Sequence, residues 1–281
     1  MINQLKTILL LGILTALLLA VGNLLGGQAG LTVALFFVLL MNMITYFFSD
    51  KIVLLMYRAK EAPKSKYHYL HEIVEDVCKL AKIPKPKIYV IPTETPNAFA
   101  TGRNPKHAAI ACTEGILKLL SKEELKGVIS HEISHIRNRD ILITTIAATI
   151  AGVIFYVARM AQFAAMFGGS RDRQGQSNIL SLLALAIITP IIAMLLQLAI
   201  SRSREYFADE TGAKTIKNPS ALANALHKLE SGVRMHPLGF GNQATSSLFI
   251  VNPFSAHGLI NLLSTHPPLN LRVKRLKEMK I

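Results

Sequence analysis

Four long apolar stretches punctuate this chain, at residues 7–25, 31–48, 141–167 and 179–200. Each comes close to the length a helix needs to cross about 30 Å of hydrocarbon. Only uncharged residues 26–30 separate the first two, which predicts a transmembrane hairpin. A cleaved signal peptide is the rival for the first stretch. The second follows at once, however, and the small-residue run Ala20-Val21-Gly22 leads straight into more apolar sequence. The third stretch contains Arg159 and the fourth Gln197. Two readings stand for that pair: a second transmembrane hairpin, or a buried or interfacial helical hairpin of a water-soluble domain.

Between and beyond these stretches the pattern changes period. Ser121-Lys122-Glu123-Glu124 sets an N-cap serine three residues before an acid, a helix start. Leu125, Val128, Ile129, Ile133 and Ile136 then recur at helical spacing. After Pro84 and Pro86, Lys87-Ile88-Tyr89-Val90-Ile91 reads as a strand, and residues 107–112 as another. Residues 239–252 are polar with Gly and Ser and read as a flexible loop. Residues 269–281 combine Leu271, Leu276 and basic side chains into a predicted solvated helix near anionic lipid. The expected architecture is an α-helical integral membrane protein of about four transmembrane helices. It carries a mainly α cytoplasmic domain with a small β-sheet or hairpin. The expected parts are a transmembrane hairpin (1–50), a first soluble part (51–140), a second membrane hairpin (141–200) and a second soluble part (201–281).

Composition agrees. Of 281 residues, 51% are hydrophobic, and the mean hydropathy of +0.37 is high for a soluble domain. The formal net charge is +14, from 31 basic and 17 acidic side chains. No nucleic-acid motif accompanies that excess, so nucleic acid is excluded as a partner and the charge is assigned to membrane flanks. Lys6 precedes the first stretch, and Lys51, Arg58, Lys60, Lys64 and Lys66 follow the second. Arg137, Arg139, Arg202 and Arg204 flank the second pair on their near side. The positive-inside rule therefore places the N-terminus and the soluble parts in the cytoplasm of a multi-pass cell-membrane protein. Cys78 and Cys112, outside any C-x-x-C pair, read as reduced thiols.

The chemistry lies in His131-Glu132-Ile133-Ser134-His135, an H-E-x-x-H. Four residues apart on a helix, the two imidazoles share a face and can bind one Zn²⁺. Glu132 beside them can take a proton from water at the metal. A hydrolytic zinc needs a third protein ligand. Glu205 would supply it after the fourth stretch, and Asp209, one turn on, would accept an N–H from a ligand imidazole and fix its tautomer; the rival reading of the pair is an ordinary acidic helix face. Glu205 lies 70 residues beyond His135. Two membrane crossings in between would return the chain to the same side.

At these residues the chain resembles the HtpX-type membrane-bound zinc metalloproteases, relatives of the CAAX prenyl proteases. The resemblance covers nearly the whole chain. It rests on the N-terminal spans, Pro96-Asn97-Ala98-Phe99-Ala100-Thr101-Gly102, the H-E-x-x-H, Arg204-Glu205-Tyr206-Phe207-Ala208-Asp209 and Thr265-His266-Pro267-Pro268. It implies a gluzincin-type domain with one zinc per subunit on His131, His135 and Glu205, and Glu132 as catalytic base. It also implies hydrolysis of misfolded or damaged membrane proteins, or other unfolded polypeptides, in stress-linked quality control. Asn97, Ala98, Phe99 and Ala100 could present backbone to an extended substrate. A plain hairpin turn around Gly102-Arg103-Asn104-Pro105 is compatible with that. For His266, donation to the oxyanion and a purely structural turn role both stand. A non-catalytic scaffold with structural zinc would fill four positions with protein groups; three ligands plus a base favour catalysis.

Overall fold

The structure is a computed structural model describing residues 2–147, 150, 202–241, 243–254 and 267–280. Most of the third apolar stretch, all of the fourth, and His266 lie outside the described residues.

Helix α1 runs Ile2–Met56. Gly27 within it has φ +54°, the left-handed region that glycine enters without a Cβ penalty. Asn42 Nδ2 donates to Thr15 Oγ1 at 3.0 Å. Along a straight helix those 27 residues would span about 40 Å. The chain therefore doubles back near Gly27, inside the predicted turn. The segment Gly27–Met56 has 30 residues and a mean hydropathy of 2.1. It is the one helix among the described residues long and apolar enough to cross a bilayer. Phe36 and Leu55, 72% and 79% exposed, project outward from it.

The soluble part is a four-stranded sheet between two apolar layers. Strand β1 is Lys60–Glu61, β2 Lys87–Ile91, β3 Ala98–Gly102 and β4 Ala108–Thr113. Their order is β1-β2-β4-β3, with β2 parallel to β4 and the other pairs antiparallel. The period of two sorts the side chains. Ile88, Val90, Ala98, Ala100, Ile110 and Cys112 face the main helical core. Ile91, Phe99, Ala109 and Ala111 face a second cluster built on Val53, Leu54 and Tyr57, at and just beyond the end of α1.

The helices of the main layer are α2 (His68–Ala81), α3 (Glu114–Leu119), α4 (Lys122–Arg137), α5 (Arg202–Ile216), α6 (Pro219–Met235) and α7 (Leu269–Glu278). The expected start of α4 is a complete capping box. The Glu124 N–H donates to Ser121 Oγ at 3.3 Å, and the Ser121 N–H to Glu124 Oε2 at 2.9 Å. Lys228 of α6 then pairs with Glu124 at 2.8 Å.

Two expectations are corrected. Residues 239–252 are not a loose loop. Gln243–Leu248 forms a 3₁₀ turn, and Thr245, Leu248, Phe249 and Ile250 are buried. Helix α7 is not merely solvated, because Arg272 and Leu276 are buried in the core. The opening of the third apolar stretch also packs inside the protein, with Ile141, Ile143, Ile146 and Ala147 buried.

Candidate metal centre

Helix α4 presents His131 and His135 on one face, and α5 lies against it. A Cβ on Gly212 of α5 would stand 3.0 Å from the His131 backbone nitrogen, so only glycine allows this approach without a shift. That contact brings Glu205 and Asp209, both buried, beside the histidines.

The imidazole Nε2 atoms are 3.1 Å apart. Glu205 Oε2 is 3.7 Å from His131 Nε2, and Oε1 is 3.5 Å from His135 Nε2. Ligands about 2.0–2.1 Å from a tetrahedral zinc stand about 3.3 Å from one another, so this donor set fits one ion. The other ring nitrogens face carboxylates. His131 Nδ1 is 2.9 Å from Asp209 Oδ1, and His135 Nδ1 is 3.1 Å from Asp140 Oδ2. Asp140 holds the His135 N–H on Nδ1 by a hydrogen bond, and Asp209 beside His131 Nδ1 favours the same tautomer there, so that in their neutral forms both rings turn an Nε2 lone pair toward one point.

Electrostatics mark the same spot. Burial pushes the Glu132 carboxyl up to about 7, opposed by the cationic His135 and the Ala100 N–H. Glu132 Oε1 is buried with no hydrogen-bond partner among the described residues. Burial alone would lower the His135 pKa, but Asp140 overrides it and raises it to about 10. For His131, burial prevails over Asp209 and lowers it. Asp209 would be raised by burial, yet Arg272 holds it below the usual carboxylate range. Arg272 Nε and Nη2 donate to its two oxygens at 2.8 and 2.7 Å.

A cavity of about 20 Å³ sits between these groups, room for about one water. Ala100 of β3 and residues 247–250 wall it. Strand β3 is the sheet edge beside α4, but its outer rim is engaged at one end. The Ile250 N–H donates to the Ala98 carbonyl at 3.2 Å. Asn97 Nδ2 donates to the Val251 carbonyl at 2.7 Å. The Phe99 ring points the other way, packing on Tyr57 and Phe249. Among the four proposed substrate-strand residues, Ala100 alone lines the cavity.

Sequence reasoning thus named five residues that the structure brings together: His131, Glu132, His135, Glu205 and Asp209. It missed Asp140 and Arg272. Asp140 follows the H-E-x-x-H helix at the end of a basic run, with nothing but its charge to mark it. Arg272 was detectable, since it falls on the stripe Leu269, Arg272, Val273, Leu276 where an apolar residue is expected.

A His-His-Glu donor set drawn from two packed helices, with a glutamate beside it and a sheet edge alongside, is the arrangement of a metallopeptidase, and a long apolar helix precedes it in the chain. The comparisons agree. The model of "Peptidase family M48" matches residues 64–280. A "Protease HtpX homolog" of Syntrophotalea carbinolica is 52% identical over 280 residues, covering 99% of each chain. One from Aquifex aeolicus is 53% identical over 268 residues, 94% of this chain and 88% of that one. One from Pyrococcus furiosus is 50% identical, over 98% and 95%. The crystal structure of S. mikatae Ste24p shares the fold at a TM-score of 0.53 and 19% identity. The match covers 98% of this chain but spans only 65% of that one. The chain belongs to peptidase family M48.

Proposed function

We propose that this protein is a zinc endopeptidase anchored by a multi-pass membrane domain, cutting unfolded or damaged membrane proteins at the cytoplasmic face. The observation that carries the reading is the convergence of His131, His135 and Glu205 with Glu132 at the wall of one small cavity. His131, His135 and Glu205 would hold the zinc, which when bound supplies Lewis acidity toward the scissile carbonyl and the attacking water.

The chain's own groups do the rest. Asp209 and Asp140 keep the imidazoles in the ligating tautomer. Glu132 removes a proton from the attacking water and returns it to the leaving nitrogen. In the metal-free site its burial raises its pKa to about 7, which favours a carboxylate that can both take and give a proton. Ala100, on the edge strand beside Glu132, offers backbone to an extended substrate. An extended, main-chain-read substrate is an unfolded one. The apolar α1 hairpin and the basic residues that follow it support membrane substrates met on the cytoplasmic side.

Replacing Glu132 with Gln removes the base and spares the ligands. Cleavage of an unfolded membrane protein by the purified variant should fall by at least two orders of magnitude, with zinc content unchanged. Cleavage at the wild-type rate would refute the assignment.

A further inference from the structure

The largest side chain buried almost completely in the described structure is a cation. Arg272 on α7 is 1% exposed. Its guanidinium reaches three groups. Nε and Nη2 grip both oxygens of Asp209. Nη1 donates to the Ile250 carbonyl at 2.9 Å. The same nitrogen stands 3.6 Å from Glu205 Oε2. Asp209 lies 2.9 Å from His131 Nδ1, and Ile250 pairs with the Ala98 carbonyl on the edge of β3.

We propose that Arg272 is a positioning residue that sets the metal ligands before metal arrives and ties them to the segment covering the edge of β3. Glu205, Asp209 and Glu132 bring three carboxyl groups into one buried space, where like charges repel. A cation must hold them without taking a donor position of its own. Arginine meets both demands: it is always protonated, and it has no lone pair to offer a metal. Its planar fork also fixes the rotation of Asp209, which a point charge does not. With Asp209 fixed, the His131 ring keeps its N–H on Nδ1 and its lone pair on the metal side. A plain structural arginine would need only the Asp209 oxygens and the Ile250 carbonyl. The approach to Glu205 is what a purely structural role leaves without a reason.

The inference rests on the metal reading of the site, and its test avoids catalysis. The full-length protein in detergent, carrying Glu132→Gln to silence self-cleavage, is titrated with zinc against a chromogenic chelator. Adding Arg272→Lys should weaken zinc binding roughly 10- to 100-fold, the usual effect of losing a partner behind a ligand. The control is Leu276→Ala, one turn along α7 in the same core. It lowers the unfolding temperature and should leave the zinc dissociation constant unchanged. Equal weakening by both changes would mean that Arg272 only holds the helix in place, and would overturn the proposal. So would unaltered zinc binding by a folded Arg272→Lys. If circular dichroism shows that variant to be unfolded, the double change Arg272→Gln with Asp209→Asn removes both buried charges together. It too should bind zinc weakly, and wild-type binding by it would overturn the proposal. A Glu132→Gln parent that binds no zinc would instead overturn the metal reading, and this inference with it.

Discussion

His131 and His135 differ in their charge before metal binds. His135 faces Asp140, Glu205 and Glu132, and in the metal-free site it keeps its proton up to about 10. His131 is more deeply buried and its pKa is lowered. Zinc takes only neutral imidazole. At neutral pH zinc uptake should therefore displace a proton from His135, and apparent affinity should strengthen as pH rises. The limit is about tenfold per pH unit for one proton. Calorimetric titration of the Glu132→Gln variant, in which Glu132 cannot contribute, in two buffers of different ionisation enthalpy reads the proton released by His135. No buffer dependence near pH 7 would show that His135 is already neutral.

At the level of elements, the proposed use of β3 as a substrate edge makes the segment covering it a matter of access. The Ile250 N–H fills the Ala98 carbonyl, so a substrate pairing along the whole of β3 has to replace it. The cover is held by an aromatic cluster of Tyr57, Phe99 and Phe249, and by a hydrogen bond between Tyr57 Oη and Thr245 Oγ1. One such bond contributes about 1 kcal/mol net. Tyr57→Phe should therefore ease displacement by about fivefold. A fluorogenic unfolded polypeptide should show the gain in kcat/KM, and an unchanged or lower value would mean the cover is not displaced.

The sequence made parts of this arrangement legible and hid others, for identifiable reasons. Strands β2 and β4, helix α4 with its cap, and the Glu205–Asp209 pair are local patterns with fixed periods, so they could be read directly. The cover could not, because Thr245, Ser246 and Ser247 look like loop residues until Tyr57, 188 positions away from Thr245, buries one of them. Strand β1 has two residues, too few for any period. Arg272 was misread because charge usually means exposure, and here the partners that reverse the rule come from another helix.

For the molecule as a whole, the two halves of the site are separated in sequence by the third and fourth apolar stretches. The proposed multi-pass topology puts residues 171–173 outside the cell. Cys78 and Cys112 are both buried, and burial pushes Cys78 up to about 11. Native thiols should thus react slowly with a maleimide. Asp172→Cys in intact cells should then be labelled by a membrane-impermeant maleimide, and protection until the cells are opened would refute the four-crossing path.

The order of the parts along the chain has a further consequence for synthesis. Chains emerge and fold from the N-terminus. Strand β3 comes first, then His131 and His135, then Glu205 and Asp209, then Ile250, and Arg272 after all of them. A growing chain thus carries every ligand and the base before it carries the guanidinium that sets them. On the proposed role of Arg272, a chain whose α7 has not yet docked holds these carboxylates unbraced and should bind zinc weakly.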